Sequence, residues 1–502
     1  MASAVDVQAL ATAGDGTEAA PFTGWDASLT PAAFTRYQFQ KGWYRTKPVA
    51  LNWAASGIEI IGEAGVYYQH GGSGDCFIWD AGATPGTAWY HNPTIKDIIV
   101  KGRYFAGSGT AVATAGSDQV VGAGTAFLTQ FAVGNAITFN GGQATCVTRI
   151  VSAIADDTHL TVSSNFATNK SGAYTICTTA NGFFFRGMRT GIAENLRAQD
   201  ISNAGLWTEA CVTNVLTDFE CNENDNATYN VRPRYGIVTA GRGGITGDWS
   251  TIWTIINPCC EGQWDKGIWL KNESYGHAVI GGTSEGHVEI AVGAQIDCNY
   301  AVINNLDCEA NASEIDFSVK GNYNSFAGIL SDKNFIVSGS HNTLSVGHYQ
   351  NLTLTPTGGA CYNNVLLNPK VLGTLTDGGN ATRFIAKTGS DFRYKLGVAL
   401  PEVTTANISN GVLATNAAIG ELFVNLGISS HFTLSNPTNA ADGQEIAWRL
   451  TANGGGPYNI TYGNKFRAMN GLALPATLDA SATRYIVGRW NTTEQKMDIF
   501  TC

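Results

Sequence analysis

The sequence has few charged residues for its length: Asp, Glu, Lys and Arg together make up 14% of its 502 residues. The formal net charge is −10, and Lys and Arg never form a run, so nucleic acid and anionic membrane surfaces are not expected as partners. No apolar run is long enough to cross a bilayer. The amino terminus also lacks the basic and apolar regions of a secretory signal.

Motifs for several common chemistries are absent as well. G-x-S-x-G, the P-loop and H-E-x-x-H do not occur, so nothing supports a serine hydrolase, a nucleotide-binding protein or a zinc peptidase. The chain has 11 cysteines, and none has zinc-finger spacing. We expect free thiols that fill small gaps between strands, with a disulfide framework or a metal site as the alternatives. We expect no cofactor.

Glycine, in contrast, is abundant, with 59 residues, and Thr, Asn, Ser and Ala are frequent. Glycine and asparagine accept the left-handed backbone conformations that tight turns need. Amphipathic helical periodicity is nearly absent. The composition therefore predicts an all-β protein of short strands and turns.

A repeat of 24 residues aligns three glutamates, Glu261, Glu285 and Glu309, and with them Ile255, Val279 and Ile303. About this many residues form one turn of a three-sided parallel β-helix, in which equivalent residues of successive rungs lie about 4.8 Å apart. Each rung buries its apolar residues only against its neighbours, so several must stack. Similar segments on both sides of the repeat predict a long right-handed parallel β-helix.

The rung pattern is interrupted between residues 107 and 178. Short apolar segments alternate there with turns every eight to twelve residues. This spacing is typical of antiparallel strands, and it predicts a small β-barrel inserted into the β-helix.

The segments "GDGTEAAPFTGWD" and "YQFQKGWYRTKPVALNWAASGIEIIGEAG" resemble the opening of pectate-lyase-like proteins of the pectin lyase fold, especially bacteriophage tailspikes and related polysaccharide depolymerases. The inserted segment is similar to modules of phage tail proteins at Gly122 to Phe127, Val133 to Ile137 and Asp157 to Val162. The resemblance implies carbohydrate binding and a place on a virion tail spike or outside the cell. The fold hosts lyases, hydrolases, isomerases and binders, so the resemblance does not fix a reaction.

The last hundred or so residues resemble the C-terminal β-sandwich of phage tail fibres and spikes. The matching residues are Asn436 to Asn439, Asp442 to Gln444, Tyr462-Gly463, Lys465-Phe466 and Pro475. In such proteins this module caps the β-helix and supports trimerisation, so the resemblance implies a homotrimer. We expect four parts: 1–106 with the first rungs, 107–178 as the barrel, 179–394 as the main β-helix and 395–502 as the sandwich.

The three aligned glutamates suit acid–base chemistry if they share an exposed face. Glycoside hydrolysis uses two carboxyl groups, about 5–5.5 Å apart in retaining enzymes and about 6.5–9.5 Å apart in inverting ones. Stacked carboxylates also raise one another's pKa, which would keep one protonated as a general acid. The alternative is structural, because a Glu at the end of a rung can bond to turn amides.

A long segment just upstream interrupts the rungs and carries acids, arginines and aromatics. Long insertions in a solenoid often carry the site. We expect catalysis by Asp218, Glu220, Glu261 and Glu285. Substrate-binding residues are expected at Arg232, Arg234, Trp249, Trp264, Asp265, Trp269 and His277. Arginine can clamp carboxylates and flat rings can pack on sugars.

The favoured function is endo-glycoside hydrolysis of a bacterial surface or extracellular polysaccharide. Two alternatives remain open. A lyase of the same fold would use a His, Tyr or Lys as the base, and His277 and His287 flank Glu285. A non-catalytic spike would only bind its receptor.

Overall fold

The computed structural model forms two compact units, Met1–Asn380 and Ala381–Cys502. Its described residues are 4–82, 90–139, 146–221, 231–242, 249–288, 292–309, 311, 315–355, 364–367, 370–372, 374–377, 383–385, 408–415, 422–440, 442–469 and 471–501.

Most of the first unit is a right-handed parallel β-helix whose rungs each contribute strands to three faces. Face 1 is formed by Ala4–Asp6, Arg36–Phe39, Glu59–Gly62, Thr94–Lys96, Ile192–Glu194, Val212–Thr217, Ser250–Ile256, Ala278–Ile280, Val302–Asn304, Ser325–Ala327, Thr343–Ser345 and Val365–Leu367. Its short flanking strands are Tyr90–His91, Met188–Arg189 and Ser274–Tyr275. A 3₁₀ turn follows the first strand at Gln8–Leu10.

Faces 2 and 3 belong to one continuous hydrogen-bonded network. Face 2 is formed by Gly42–Arg45, Val66–Gln69, Ile99–Lys101, Arg197–Gln199, Glu220–Cys221, Cys259–Glu261, Thr283–Glu285, Asp307–Cys308 and Lys370–Val371. Face 3 is formed by Phe77–Asp80, Asn181–Arg186, Ala204–Glu209, Tyr235–Ala240, Lys266–Leu270, Val292–Ile296, Ile315–Val319 and Leu375–Asp377. Leu330–Val337 and His348–Leu354 run from face 2 into face 3.

The register of the rungs follows the predicted repeat. Ile255 pairs with Val279, and Val279 pairs with Ile303, in parallel ladders on face 1. All three side chains are buried, because alternate residues of a strand point inward. A column of inward-facing apolar residues one rung apart is thus the core of the β-helix.

The inserted segment forms a small antiparallel β-barrel with its own apolar core around Phe127, Phe139 and Tyr174. Its strands are Tyr104–Ala106, Thr110–Ala113, Gln119–Ala123, Ala136–Phe139, Val147–Asp156, His159–Val162, Lys170–Gly172 and Tyr174–Cys177, and Phe127–Gln130 is a short helix.

The second unit contains a β-sandwich of two five-stranded sheets with Trp448 in its core. One sheet consists of Ile408–Ser409, Val412–Leu413, Phe432–Leu434, Tyr458–Tyr462 and Thr477–Leu478. The other consists of Leu422–Ile428, Glu445–Ala452, Phe466–Ala468, Thr483–Asn491 and Lys496–Thr501. The strand Arg383–Ile385 also lies in this unit.

Glycines and cysteines face each other across the interior between faces 2 and 3. A Cβ added at Gly205 would lie 2.5 Å from the Cys221 sulfur, and one added at Gly236 would lie 2.6 Å from the Cys260 sulfur. All nine cysteines that the structure describes are free thiols, and eight of them are buried. In the described part of the chain, cysteine is therefore a small core residue, while Cys361 and Cys502 lie outside that part.

In the part of the chain that the structure describes, no helix is long and apolar enough to span a membrane.

Candidate active site

Carboxylates line the outer surface of face 2 on successive rungs. Cys260 and Ser284 point inward from the middle of their strands and are buried. The residues on either side of them therefore point outward, and Glu261 pairs directly with Glu285. The amide of Gly286 donates to the Glu309 carbonyl, which places Glu309 on the next rung. The three glutamates thus form one column, about 4.8 Å apart at each step.

The carboxyl group of Glu285, in the middle of this column, has a raised pKa. Burial raises its pKa to about 7, with further contributions from the negative charges of Glu261, Glu309 and Asp307 and from a hydrogen bond with Glu261. A carboxyl group with this pKa is partly protonated at neutral pH, so it can donate a proton. Stacking on one face, which the spacing predicts, adds to the effect of burial on this pKa.

Asp307 and Asp332 complete the acidic surface, and neither is among the predicted site residues. Asp307 pairs with Thr283, one rung beyond it and beside the glutamate column. Burial raises the pKa of Asp307, and the charges of Glu309 and Asp332 raise it further. The repeat could have revealed Asp307, because it occupies the position of Thr283 and Cys259 in successive rungs.

Glu261 is held in place by its own strand. The Cys259 thiol donates a hydrogen bond to Glu261 Oε1 at 3.4 Å. Burial raises the pKa of Cys259 to about 12, so the thiol remains a donor. This hydrogen bond therefore restrains the Glu261 carboxyl group on the outer surface of face 2.

Glu220 lies on the preceding rung, in the second outward column of face 2. Its strand pairs with that of Cys259, which places the Glu220 side chain roughly 8 Å diagonally from that of Glu261. Arg197 forms an ion pair with Glu220 at 3.2 Å. Glu220 thus borders the glutamate column without belonging to it.

Asp218 lies at the corner between face 1 and face 2, in a left-handed backbone conformation with φ of 53°. Asn257 occupies the equivalent position one rung on, and its side-chain amide donates to Asp218 Oδ1 at 3.3 Å. Asp218 is exposed but belongs to a ladder of corner residues. This placement fits a role in the turn better than the predicted catalytic role.

Arg232 and Trp264 are buried where the inserted barrel packs on the β-helix. The Arg232 amide donates to the Thr148 hydroxyl at 3.0 Å, and its guanidinium donates to the Gly262 carbonyl at 2.9 Å. The Trp264 ring packs against the guanidinium groups of Arg149 and Arg234, 4.6 and 5.2 Å from the ring centroid. Both predicted binding residues therefore lie in the packing interface between the barrel and the β-helix.

Three more of the predicted substrate-binding residues, Arg234, Asp265 and Trp269, lie on the outer surface of face 3. Arg234 forms an ion pair with Asp265 at 2.8 Å, and Lys266 also contacts Asp265. Burial opposes ionisation of Asp265, but Lys266 and Arg234 outweigh it and lower its pKa. The half-buried Trp269 ring lies between Lys266 and Lys271, 4.6 and 4.8 Å from its centroid. These residues form a polar and aromatic surface on the face that follows the acids.

His277 is placed in the core, which corrects the prediction that it contacts substrate. Its side chain is 0% exposed, and Nδ1 accepts a hydrogen bond from the Trp253 amide at 3.1 Å. His287 is buried too and accepts from the Gln263 amide at 3.2 Å. Burial lowers the pKa of each to about 3. Neither histidine can reach a substrate on the surface.

Trp249 is 45% exposed and lies against Tyr275, with ring centroids 5.2 Å apart. It immediately precedes the face 1 strand Ser250–Ile256. The width of face 1 therefore separates Trp249 from the acids of face 2. Three acids of the long segment upstream of the repeat, Glu223, Asp225 and Asp248, lie outside the described residues.

No protein-family model and no curated protein matches this sequence. Solved structures of similar fold include Geobacillus virus E2 ORF18, with 10% identity and a TM-score of 0.42 over 76% of this chain and 61% of that one. A second is the tailspike protein gp49 from Acinetobacter baumannii bacteriophage Fri1, a capsular polysaccharide depolymerase, with 9% identity and a TM-score of 0.32 over 70% of this chain and 57% of that one. The chain thus spans less than two thirds of the length of both.

A third is the family 28 exopolygalacturonase of Yersinia enterocolitica, with 11% identity and a TM-score of 0.32 over 92% of this chain and 76% of that one. Phage tailspikes and a polygalacturonase are thus among the structures of similar fold, the class that the sequence resemblance predicts. Likeness at this level concerns the fold alone, so a function has to follow from the residues of the site.

Proposed function

We propose that the protein is a polysaccharide depolymerase, an endo-glycoside hydrolase acting on a bacterial surface or extracellular polysaccharide. The observation that carries this proposal is the column of Glu261, Glu285 and Glu309, in which the central carboxyl group has a pKa of about 7. A protonated carboxyl group beside a second carboxylate is the pair that glycoside hydrolysis needs.

In the proposed mechanism, Glu285 protonates the oxygen of the leaving sugar while the glycosidic bond breaks. The Glu261 carboxylate, one rung away at about 4.8 Å, forms a bond to the anomeric carbon. Glu285 then removes a proton from a water molecule whose oxygen bonds to the anomeric carbon, and the bond to Glu261 breaks, which releases the sugar. The spacing of neighbouring rungs matches the about 5–5.5 Å of retaining enzymes, so we expect retention of configuration.

The outer surface of face 3 supplies the proposed contacts to the polymer. Trp269 offers a half-buried aromatic ring, and the Arg234–Asp265 pair offers charged groups for sugar hydroxyl or carboxylate groups. Glu220 at the border of the column could bond to a sugar of the same chain. The fold that this chain shares with a named depolymerase and an exopolygalacturonase is compatible with such a surface.

The proposal is tested by replacing each member of the reacting pair. Glu261→Gln and Glu285→Gln should each reduce the release of oligosaccharides from a cleaved polymer by at least about 100-fold, because each variant loses a reacting carboxyl group. Glu194→Gln is the matched control, since Glu194 is paired with Lys96 on face 1. The measurement is reducing-end release with analysis of the products.

Full activity in both variants would contradict the site. Unsaturated products, detected by their ultraviolet absorbance, would show that the protein is a lyase and not a hydrolase. A wild-type protein that binds polysaccharides without shortening them would be a receptor-binding spike.

We further propose that the protein acts as a homotrimer on a virion tail spike or outside the cell. The resemblance of the last hundred or so residues to tail-fibre sandwiches supports this assembly.

A further inference from the structure

The corner that joins face 3 to face 1 carries a second ladder of left-handed residues. Successive rungs place there Thr213, Ile252, Gly276, Tyr300, Tyr323 and His341, all with positive φ. The register follows from the pairs Val212–Thr251, Thr251–Tyr275 and Tyr275–Asn299 directly before them. Each residue therefore lies one rung, about 4.8 Å, from the next.

The residue types at this corner are costly for the conformation that they adopt. A left-handed conformation costs an ordinary residue roughly 1–2 kcal/mol, and it is unusual for a β-branched or bulky side chain. The corner between faces 1 and 2 has the same conformation and, apart from Val346, uses residues that accept it, namely Asp97, Asn195, Asp218, Asn257, Gly281, Asn305 and Gly328. The fold alone therefore does not require Ile252, Tyr300 or Tyr323.

These costly side chains are exposed to solvent. Ile252 is 50% exposed and Tyr300 is 58% exposed. Tyr300 stacks on Tyr323 with centroids 5.2 Å apart, and Tyr323 stacks on His341 at 4.6 Å. Burial does not explain them, and strained, exposed residues are typical of binding sites.

Gly276 opens a gap in this ladder. A Cβ added at Gly276 would have one neighbour within 4 Å, a side-chain carbon of Ile252 at 3.6 Å. The space between Ile252 and the Tyr300 ring therefore spans two rungs, about 10 Å. A ring placed midway would lie about 5 Å from the Tyr300 ring, within the ~4.5–7 Å range of ring contacts.

We propose that this gap, lined by Ile252, Gly276 and Tyr300, holds one sugar ring of the polysaccharide at a site separate from the acids of face 2. Trp249 and Tyr275, which contact each other beside the gap, extend its aromatic border. A single pyranose ring fits this narrow, exposed gap, because it has an apolar face for Tyr300 and hydroxyl groups that stay in contact with water. The site would anchor the polymer while face 2 cleaves it, and it rests on the proposed function.

Binding in the inactive Glu285→Gln background tests this site separately from cleavage. The probes are alginate, polygalacturonate, hyaluronate, xanthan and purified capsular polysaccharides, each cast into a gel for affinity electrophoresis. Tyr300→Ala removes the ring, and Gly276→Asn fills the gap with a residue that accepts the left-handed conformation. Each should weaken binding by about 5-fold or more, on the scale of one ring contact.

Two controls match these variants. Gly443→Asn makes the same change at a left-handed glycine of the sandwich where a Cβ meets nothing within 4 Å. Phe34→Ala removes an exposed ring from a left-handed position near the start of the chain. Both should bind like the parent, and circular dichroism should show that all four fold.

Unchanged binding by Tyr300→Ala and Gly276→Asn, with cleavage intact in the wild type, would overturn the anchoring site and leave the proposed function standing. A change of oligomeric state in these variants would instead assign the gap to contacts between copies of the chain, which also overturns it. If the wild type neither binds nor cleaves any probe, the proposed function and the anchoring site both fail.

Discussion

Glu285 gains its chemical character from its neighbours above and below. A lone glutamate on a half-exposed strand would titrate near its usual value. Glu285 instead is partly buried between the negative charges of Glu261 and Glu309, so its proton is retained up to a pKa of about 7. The same residue type two rungs earlier, Glu220, has Arg197 as its partner. The neighbours on adjacent rungs thus give two glutamates opposite electrostatic surroundings.

The pH dependence of cleavage should report this arrangement. As the general acid, Glu285 must be protonated, so activity should fall as the pH rises through about 7. Glu309→Gln removes one like charge, which lowers the pKa of Glu285 and should move the alkaline limb of the profile to lower pH. The measurement is kcat/KM against pH, with Glu194→Gln as the control. An unmoved limb in Glu309→Gln would show that Glu285 does not set it.

Residue types that look catalytic in the sequence can have structural places in a solenoid. Arg232, Trp264 and His277 have the chemistry of a sugar site, yet all three are buried. The 24-residue period fixes which residues are neighbours on successive rungs, but not where each strand ends and its corner turns inward. For that reason the glutamate column could be predicted, whereas the corner residues could not be sorted into outward and inward sets.

Ladders of side chains bond each rung to the next inside the corner between faces 3 and 1. Asn324 and Asn342 accept hydrogen bonds from the amides of Ala301 and Asn324, at 2.7 and 2.9 Å. His277 does the same for Trp253 with a ring nitrogen. The ladder provides side-chain acceptors for these buried backbone amides, since buried polar groups need hydrogen-bond partners. His277 thus occupies a ladder position that asparagine holds on later rungs.

His277→Asn should therefore preserve the fold and reduce its acid sensitivity. The folded pKa of His277 is about 3, below the unfolded value near 6.5, so the unfolded state binds more protons between these limits. The stability linked to this histidine is complete above the unfolded value and is lost as the pH falls. Denaturant unfolding at pH 7 and pH 4 measures the difference, which should shrink in His277→Asn but not in a variant of the exposed His91. An equal loss in His277→Asn and wild type would contradict this account.

The glycine positions facing cysteines set the thickness of the interior between faces 2 and 3. Gly236→Ala would place a methyl group 2.5 Å from the Gly267 carbonyl oxygen and 2.6 Å from the Cys260 sulfur. We expect a loss of about 1–3 kcal/mol, the usual cost of overpacking. Thermal unfolding measures it, with Gly454→Ala as the control, since a Cβ there meets nothing within 4 Å. Equal stability of the two variants would refute tight packing at this corner.

At the scale of the whole molecule, the β-helix could be predicted because residues that stack on successive rungs recur at a fixed spacing in the sequence. The alignment of Ile255, Val279 and Ile303 is observed as a column of directly paired, buried residues. The barrel insertion showed itself as a loss of that pattern and as closely spaced turns between short apolar segments. Its contact with the β-helix, where Thr148 meets Arg232, joins residues 84 positions apart and leaves no local signal.

The proposed assembly predicts the size of the particle in solution. Three copies of the 53.1 kDa chain should elute as one species, because a trimer is the expected state for its C-terminal sandwich. Light scattering coupled to size-exclusion chromatography measures the mass. A single-chain mass at micromolar concentration would show that the sandwich does not trimerise the protein.

The two-dozen-residue period also bears on how such a molecule can change. Each rung contacts only the rungs directly above and below it. Tandem duplication of residues 254–277 would therefore add one more layer, with its own Glu261 equivalent, while the layers on either side keep their contacts. Lineages of this architecture can lengthen or shorten the acidic surface in whole steps, and so fit longer or shorter stretches of polymer, without redesigning the core.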